Sequence, residues 1–477
     1  MWRGKLRFEN LDKHNHWTCS RKAFKWQYAY NHKMPITIQK RDIIEEFKRN
    51  REDKSWAFLH LKPSQTNYLT HGYHRYPAKF IPQLASRLIQ DFTRRDDIIC
   101  DPFMGGGTTI VESLLNHRKS IGTDINEVAW LITKAKTTPI EPNLLDNEIK
   151  NLFSQLYFLE PSFDKNQKRL IEQELSKIEV KNGRIDYWFK KETKEELAII
   201  LDNIMKIKNE DIRTFFLCGF SNILKSCSIW LMKSIKPTRD PKKKIPPAFP
   251  VFKRQINMMK NKNKFYYSAL TDKIKSNLNN YLKIELGDAR KIGIDDNKVS
   301  LVVTSPPYVT SYEYADIHQL TIFWLNYAKD LEEFRKKFIG TSYHSPKKIN
   351  LNSDIAEETI SKLGEKSAKK SKEVATYFSE MNESFEEMYR YLKTGGKACI
   401  VIGNTNFKGI NIPNAEVFVE QMTNLGFRVH NLIKRSIPSK ILPSSRDPIT
   451  GRFTSINNPN KKLAYPTEYI IVMEKSN

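Results

Sequence analysis

Short apolar runs alternate with segments of helical spacing over two stretches of the chain, 66–140 and 281–477. The runs predict buried strands, and apolar residues at every third or fourth position predict helices between them. This alternation predicts an α/β protein with a largely parallel, doubly wound sheet. The predicted strands occupy 97–100, 118–124, 281–290, 299–303, 397–403, 428–437 and 467–473. The predicted helices of the sheet region occupy 83–92, 110–115, 126–136, 373–392 and 413–425.

A long insertion, 141–280, interrupts this alternation after the second strand. Its predicted helices occupy 143–158, 167–178, 193–208 and 214–233. The first three are amphipathic, whereas the last is apolar on nearly all sides and is therefore predicted to be buried. Segment 236–247 is rich in lysine and proline; the prolines preclude a helix, and the charge favours contact with phosphate. The insertion is best interpreted as a target-recognition or DNA-clamping module. A solvated helical decoration is the alternative.

Three further segments are polar and basic. Residues 1–65 interleave lysine and arginine with tryptophan and tyrosine, a mixture that binds nucleic acid as readily as it forms a small helical extension. Segment 329–372 is predicted to be an exposed, mobile loop that could cover DNA, and 438–462 is a second candidate DNA-contact loop. The predicted organisation is therefore an extension (1–65), a core half (66–140), the insertion (141–280) and a second core half (281–477).

The overall charge supports a polyanionic partner. The 477 residues carry a net charge of +25, with 39% hydrophobic and 28% charged residues. Nucleic acid is the default partner of a protein with so large a positive charge. A membrane-spanning segment is not expected, because no apolar stretch reaches about 18 residues. The N-terminus lacks the apolar core of a signal peptide, which predicts a cytoplasmic protein. The five cysteines form no Cys-x-x-Cys pair, so neither zinc nor a disulfide framework is expected.

A glycine-rich turn follows the first predicted strand. Segment 101–109 reads Asp-Pro-Phe-Met-Gly-Gly-Gly-Thr-Thr and leads into a helix, the arrangement of a nucleotide-cofactor loop. Asp124 ends the second strand 19 positions after Gly105, close to the spacing of an acid that accepts from ribose hydroxyls. No Gly-Lys-Ser/Thr follows, which favours an adenosine cofactor without phosphates. A chance glycine turn with an exposed aspartate is the alternative.

A second motif, Thr-Ser-Pro-Pro-Tyr at 304–308, follows the fourth predicted strand. An exocyclic base amine is a poor nucleophile, and acceptors aimed at its N–H bonds favour a pyramidal, reactive nitrogen. The Ser305 hydroxyl and the Pro306 carbonyl are suitable acceptors, held by the two successive prolines Pro306 and Pro307. The Tyr308 ring offers a face on which an extruded base can stack. A polyproline turn at a strand end is the alternative.

Together the two motifs resemble those of the S-adenosylmethionine-dependent DNA amino-methyltransferases, which methylate N4 of cytosine or N6 of adenine. The resemblance covers about 71–140 and 280–475 and implies a class I, Rossmann-like sheet of seven strands with a closing antiparallel pair. It implies that S-adenosylmethionine contacts residues of the glycine-rich turn and three side chains outside it. The residues of the turn are Asp101, Phe103, Gly105, Gly107 and Thr108, and the other three are Asp124, Asp288 and Lys79. The catalytic residues it implies are Ser305, Pro306, Pro307 and Tyr308.

The resemblance favours cytosine-N4 as the target, since Ser-Pro-Pro-Tyr is more typical of those members. Adenine-N6 methylation, RNA methylation and an inactive nucleic-acid-binding protein stay open. Double-stranded DNA is the expected partner, and a cognate restriction endonuclease is plausible by family. In an open α/β sheet, ligands bind beyond the carboxyl ends of the strands where strand order reverses. Both motifs follow strands that flank this reversal, so they are predicted to meet in one crevice.

Overall fold

The structure is a computed structural model, which describes residues 40–77, 79–163, 182–309, 314–341, 343, 348–437, 445–446, 457–460, 462–463 and 467–476. All of these belong to one compact unit, Thr37–Asn477. The first 39 residues, including the basic and aromatic positions Trp2, Trp17 and Trp26, lie outside the described residues. So do the predicted helix at 167–178 and most of the predicted DNA-contact loop at 438–462.

Seven strands form the central sheet. They are β1 (Ile98–Asp101), β2 (Lys119–Asp124), β3 (Leu282–Leu286), β4 (Val299–Thr304), β5 (Leu392–Ile402), β6 (Phe427–Ser436) and β7 (Thr467–Lys475). Their order is β3-β2-β1-β4-β5-β7-β6, and all pair in parallel except β7, which is antiparallel to both β5 and β6. The predicted doubly wound sheet and its closing antiparallel pair are confirmed. Strand order reverses between β1 and β4, where Ile99 pairs with Leu301.

Two predicted strand boundaries are wrong. Strand β3 ends at Leu286 rather than at 290, because Asp288 turns the chain by accepting from the backbone N–H of Arg290 (2.9 Å). Strand β5 begins at Leu392 rather than at 397, and the register against β4 shifts between Val299 and Leu301. The glycines before 397 therefore form an irregularity within the strand instead of a turn that precedes it.

Helices cover both faces of the sheet. The helices that precede the insertion are α1 (Lys40–Arg49), α2 (Pro63–Thr66), α3 (Pro82–Phe92), α4 (Thr108–Leu115) and α5 (Glu127–Thr137). Those that follow it, with α6–α12 reserved for the insertion, are α13 (Tyr314–Trp324), α14 (Leu331–Lys336), α15 (Asp354–Lys366), α16 (Ala368–Tyr391) and α17 (Asn414–Asn424). Alternate strand residues face opposite sides. Ile99 and Leu301 pack in a cluster with α3, whereas Cys100 and Val302 pack with α16 and α17.

The described part of the insertion is mainly helical, apart from a non-helical segment at 228–247. Its helices are α6 (Pro142–Gln155), α7 (Gly183–Trp188), α8 (Lys191–Met205), α9 (Glu210–Cys227), α10 (Ala248–Ala269), α11 (Asp272–Ser276) and α12 (Leu278–Tyr281). The apolar helix α9 buries Phe215, Phe216 and Phe220 completely, as its all-round apolar sequence predicts, although it ends at Cys227 rather than at 233. The same core cluster includes Val128 of α5 and Leu320 of α13, so the insertion packs directly on the sheet region.

The interpretation of 329–372 as an exposed loop is wrong. Helices α14 and α15 both lie in this segment. Helix α15 buries Ile355, Ala356 and Leu363, and the Ser353 hydroxyl caps its first turn. The lysine-rich composition describes the solvent face of these helices, while the apolar residues at helical spacing determine the fold. His344, Ser345 and Pro346 lie outside the described residues.

Among the described residues, no helix is long and apolar enough to cross a membrane. Nor does the described part of the chain contain a group of three or more histidine, cysteine or acidic side chains that could hold a metal ion.

Candidate active site

The glycine turn connects β1 to α4 through two left-handed residues. Gly105 has φ +46° and Gly107 has φ +73°, conformations in which a side chain is strained. Gly107 is the N-cap of α4 and has no side-chain cap, so it exposes the backbone N–H groups of the first helical turn. The glycines are therefore required by the backbone path between β1 and α4.

Helix α5 holds this turn from behind. The Thr133 hydroxyl donates to the carbonyl of Gly105 (3.1 Å), and the Lys136 ammonium donates to the carbonyl of Gly106 (2.7 Å). Lys136 is completely buried, and burial lowers its pKa well below the usual range. A buried lysine is costly unless it is hydrogen-bonded, so its place here is explained by the orientation that it gives to the turn.

Asp124, at the end of β2, binds the glycine turn from the opposite side. Its carboxylate accepts from the backbone N–H groups of Gly105 (2.9 Å) and Asn126 (3.0 Å). Burial raises the pKa of this carboxyl to about 6, although the backbone donors oppose the shift. Each carboxylate oxygen has a second lone pair, so Asp124 retains capacity to accept from ligand hydroxyls.

Asp101 links the two sequence motifs. Its carboxylate accepts from the hydroxyl of Thr304 (2.6 Å), the first residue of Thr-Ser-Pro-Pro-Tyr, and from the N–H of Phe103 (3.2 Å). Burial raises the pKa of Asp101 to about 7. The end of β1 and the end of β4 are thus joined by a buried hydrogen bond directly below the candidate site.

Both motifs line one cavity of about 810 Å³ that opens to solvent. Its lining residues are Tyr76, Pro77, Lys79, Phe80, Asp101, Pro102, Phe103, Met104, Gly105, Gly106, Thr108, Asp124, Ile125, Gly287, Asp288, Ala289, Ser305, Pro307, Tyr314, Lys337, Phe338 and Ile339. We call this space the donor cavity. It brings together nine of the twelve site residues predicted from the sequence. Of the other three, Gly107 is the N-cap of α4, Pro306 is buried, and Tyr308 lines a different cavity.

Tyr308 lines a second cavity of about 1110 Å³, which we call the base cavity. Its lining residues are Ile235, Lys236, Pro237, Pro307, Tyr308, Val309, Tyr314, Asp316, Ile317, Phe338, Ile339, Gly340, Thr341, Lys370, Glu373 and Tyr377. Pro307, Tyr314, Phe338 and Ile339 line both cavities. The Ser-Pro-Pro-Tyr segment therefore forms part of the boundary between the two spaces.

Hydrogen bonds fix this segment in place. The Tyr377 hydroxyl, on α16, donates to the carbonyl of Pro307 (2.7 Å). The Tyr308 hydroxyl donates to Glu468 (3.3 Å), whose other carboxylate oxygen accepts from Arg435 (2.9 Å). Burial and the neighbouring Glu468 raise the pKa of Tyr308 well above its usual range, so its hydroxyl stays protonated.

Lys79 and Asp288 line the donor cavity with partners already in place. The Lys79 ammonium donates to the carbonyl of His71 (3.1 Å) and to Asn67 (3.2 Å), and burial lowers its pKa to about 8. The Asp288 carboxylate pairs with Arg290 (2.6 Å), which also reaches Glu380 (2.8 Å). Any ligand contact made by these two side chains would add to existing bonds.

Tyr76 and Phe338 line the donor cavity but were not among the site residues predicted from the sequence. The Tyr76 ring lies against Gly105 and Gly106, and it stacks on Tyr314 (6.2 Å between centroids) and on His318 (5.0 Å). Its only sequence signal is its place in the aromatic segment that precedes the glycine turn. Phe338 had no usable signal, because it lies in the polar stretch interpreted as a loop.

The donor cavity suits a ligand with an adenosine moiety. The Thr108 hydroxyl is buried at its wall with no hydrogen-bond partner among the described residues, so a ligand polar group would satisfy it. Asp124 can accept from ribose hydroxyls, and the uncapped N-terminus of α4 favours a carboxylate. Strand order, the glycine turn and this cavity together define a class I methyltransferase.

Comparison with known proteins agrees with this class. A family model for N6 and N4 methyltransferases, described as DNA methylase, matches residues 7–135 and 299–477, more than half of the chain. The chain is 28% identical over 431 residues to type II methyltransferase M.MvaI of Kocuria varians, covering 85% of this chain and 92% of that protein. It is 22% identical over 427 residues to type II methyltransferase M.BsoBI of Geobacillus stearothermophilus, covering 76% and 79%.

The chain therefore belongs to the DNA methylase family and is a DNA amino-methyltransferase. S-adenosylmethionine is its cofactor and supplies the methyl group. The segment 136–298, which the family model does not match, includes the whole helical insertion.

Proposed function

We propose that this protein methylates N4 of cytosine at a specific sequence in double-stranded DNA, after the base has rotated out of the duplex into the base cavity. The observation that carries the proposal is the boundary shared by the two cavities. Ser305 lines the donor cavity, Tyr308 lines the base cavity, and Pro307 lines both. A base amine held at this boundary would lie next to the donor cavity.

The chemistry assigned to the motif follows from its acceptors. The Ser305 hydroxyl and the carbonyl of Pro306 are proposed to accept the two N–H bonds of the target amine. The Pro307 carbonyl already accepts from the Tyr377 hydroxyl, which leaves it one lone pair rather than two for a further donor. The prolines hold the acceptors in place, so little reorganisation is needed when the base arrives. The amine proton is released to solvent after transfer, so no strong general base is required.

The test is chemical analysis of the product. The protein would be expressed in a bacterium that lacks its own amino-methylation, and the digested DNA would be analysed by nucleoside mass spectrometry. We expect N4-methylcytosine, and sequencing of the same DNA should place it within one recognition sequence. N6-methyladenine would reject the choice of cytosine. Methylation of RNA alone, or of neither polymer, would reject the proposal as a whole.

A cognate restriction endonuclease is part of this proposal, because the relatives compared above are named type II methyltransferases. If such an enzyme exists, an extract of the source cells should cleave unmethylated DNA at the mapped sequence. The same DNA methylated in advance by this protein should resist cleavage. Cleavage of both substrates, or of neither, would count against a paired system.

Asp124 leads to a pH prediction for cofactor binding. Ribose hydroxyls donate to the charged carboxylate, and the pKa of Asp124 is about 6. Affinity for S-adenosylmethionine should therefore be highest above this pH and should fall as pH decreases through 6, by up to about tenfold per unit. Isothermal titration calorimetry between pH 5 and 8 measures this change.

The matched control for this prediction is Asp124→Asn, which keeps the shape of the side chain and removes its titration. This variant should bind more weakly at pH 8, and its affinity should change less between pH 7 and pH 5. Asp101 titrates in both proteins, and because the Asp124 charge contributes to raising its pKa, its titration should move to lower pH in Asp124→Asn. An identical pH dependence in the two proteins would show that Asp124 does not accept from the cofactor.

A further inference from the structure

The helical insertion reaches the base cavity itself. Residues Ile235, Lys236 and Pro237, which lie between α9 and α10, line this cavity together with residues of the catalytic half. These three residues precede Tyr308 by about 70 positions in the sequence, and all four line the same cavity. The insertion therefore contributes residues to the proposed base site itself, in addition to any contact that it makes with the duplex.

The segment that carries these residues is held by internal hydrogen bonds. The Lys243 ammonium donates to the carbonyls of Lys225 (2.7 Å), Ser228 (2.6 Å) and Trp230 (3.0 Å), and the Lys225 ammonium donates to that of Ser234 (2.7 Å). Burial lowers the pKa of Lys243 to about 8. Lys225 and Lys243 are thus used to fix the loop rather than to contact phosphate.

The backbone at Lys236 is fixed in the same way. Its carbonyl accepts from the hydroxyls of Ser234 (2.8 Å) and Thr238 (3.1 Å), and the following proline restricts the chain further. The N–H of Leu231 donates to the carbonyl of Thr238 (2.8 Å), which closes the loop around this position. The Lys236 side chain is exposed at the rim of the base cavity. A defined backbone therefore presents a solvated ammonium group at this rim.

Aromatic packing connects this loop to the catalytic half. Trp230 stacks on Trp188 (5.0 Å between centroids, 23° between planes). The Trp188 indole N–H donates to Gln319 (2.9 Å) on α13, the helix that follows the catalytic motif. The loop is therefore connected to α13, whose residue Tyr314 lines both cavities. This packing fixes the position of the loop relative to the base cavity.

The charges at this rim distinguish Lys236 from its neighbours. Asp316 is paired with Arg335, and Glu373 is paired with Lys370 (2.6 Å). Within the described residues, no ion pair involves Lys236. A nucleotide that rotates into the base cavity brings its phosphodiester groups to the rim, where a cation without a carboxylate partner attracts them.

We propose that Lys236 binds a phosphate next to the extruded nucleotide and so stabilises the extruded state. This inference rests on the proposed function, in that it requires a base to enter the base cavity. The partner is the sugar-phosphate backbone at the target position. Lys236 would thus be a positioning residue that the insertion supplies. It would act on the flipped base by binding the phosphate of the same nucleotide or its neighbour.

The test compares Lys236→Ala with Lys233→Ala, a variant that removes the same charge from an exposed residue outside the cavity lining. Single-turnover methylation would be measured on a duplex with the mapped recognition sequence, and on the same duplex with the target base mispaired. A mispaired base costs less to extrude. We expect Lys236→Ala to slow methylation about tenfold on the paired duplex and much less on the mispaired one. Lys236→Arg should restore most of the rate.

A second measurement uses equilibrium binding at several salt concentrations. Loss of one phosphate contact should make the slope of log association constant against log salt less negative by about 0.9 in Lys236→Ala. Equal rates for Lys236→Ala and Lys233→Ala, or an equal loss on paired and mispaired duplexes, would overturn the inference. If the wild type yields N6-methyladenine, only the choice of cytosine fails, and the same comparison still tests Lys236.

Discussion

Replacing Gly107 by alanine should reduce the affinity for S-adenosylmethionine at least about thirtyfold. The residue has φ +73°, where a side chain costs about 1–2 kcal/mol. The added Cβ would lie 2.7 Å from the Thr133 hydroxyl oxygen, and relieving this overlap costs about 1–3 kcal/mol more. Moving Thr133 would also break its hydrogen bond to the carbonyl of Gly105. The loop that is proposed to bind the cofactor would therefore lose its conformation.

The matched control is Gly395→Ala. Gly395 has almost the same φ, +74°, but nothing lies within 4 Å of its added Cβ, and it is not part of the donor cavity. It should lower the melting temperature through backbone strain alone and leave the cofactor affinity unchanged. Calorimetric titration with S-adenosylmethionine and thermal unfolding of both variants separate the two effects. Wild-type affinity in Gly107→Ala would show that the turn does not hold the cofactor.

The sheet and the glycine turn could be predicted because their signals are local. A buried parallel strand reads as a short apolar run, and the turn after β1 needs glycine at positions where φ is positive. The meeting of the two motifs was also predictable, since it follows from strand order at the reversal point. Asp101, whose carboxylate bonds to Thr304, shows that β1 and β4 meet as this argument requires.

The walls of the cavities could not be predicted in the same way. Tyr76, Phe338 and Lys236 come from three distant segments, and only tertiary packing brings them to the two cavities. Helix α10 was missed, although it is the longest helix in the described part of the insertion, because it follows a proline-rich segment and mixes lysines with its apolar residues. Composition also gave a wrong prediction at α15, which was interpreted as part of a loop because the segment is rich in charged residues. The helical spacing of its apolar residues, such as Ile355 and Leu363, was overlooked.

The lysines show a further limit of sequence reasoning. A net charge of +25 predicts a polyanionic partner, but it does not say which ammonium groups face that partner. Lys136 and Lys243 donate to backbone carbonyls inside the protein, and Lys79 is bonded to the carbonyl of His71. Their positions in basic or polar stretches give no hint of this use. Assigning lysines to DNA contact therefore requires the structure.

Replacing Tyr308 by alanine should lower kcat/KM for DNA methylation by about tenfold to a hundredfold. The ring lines the base cavity, and base–aromatic stacking contributes about 1–3 kcal/mol. Affinity for S-adenosylmethionine should stay near that of the wild type, because Tyr308 does not line the donor cavity. Methyl transfer to the mapped duplex and calorimetric titration with the cofactor measure the two quantities separately.

Tyr308→Phe separates stacking from the hydroxyl contact. It keeps the ring and removes the hydrogen bond to Glu468, so its activity should lie much closer to the wild type than that of Tyr308→Ala. The Tyr308 ring also packs closely on Gly403, where a built Cβ would lie only 3.2 Å from the ring. Because loss of this packing can destabilise the fold, thermal unfolding must show that the alanine variant is folded at the assay temperature. Equal losses in the two variants would assign the effect to the hydroxyl. Full activity in Tyr308→Ala would mean that the target base does not stack on this residue.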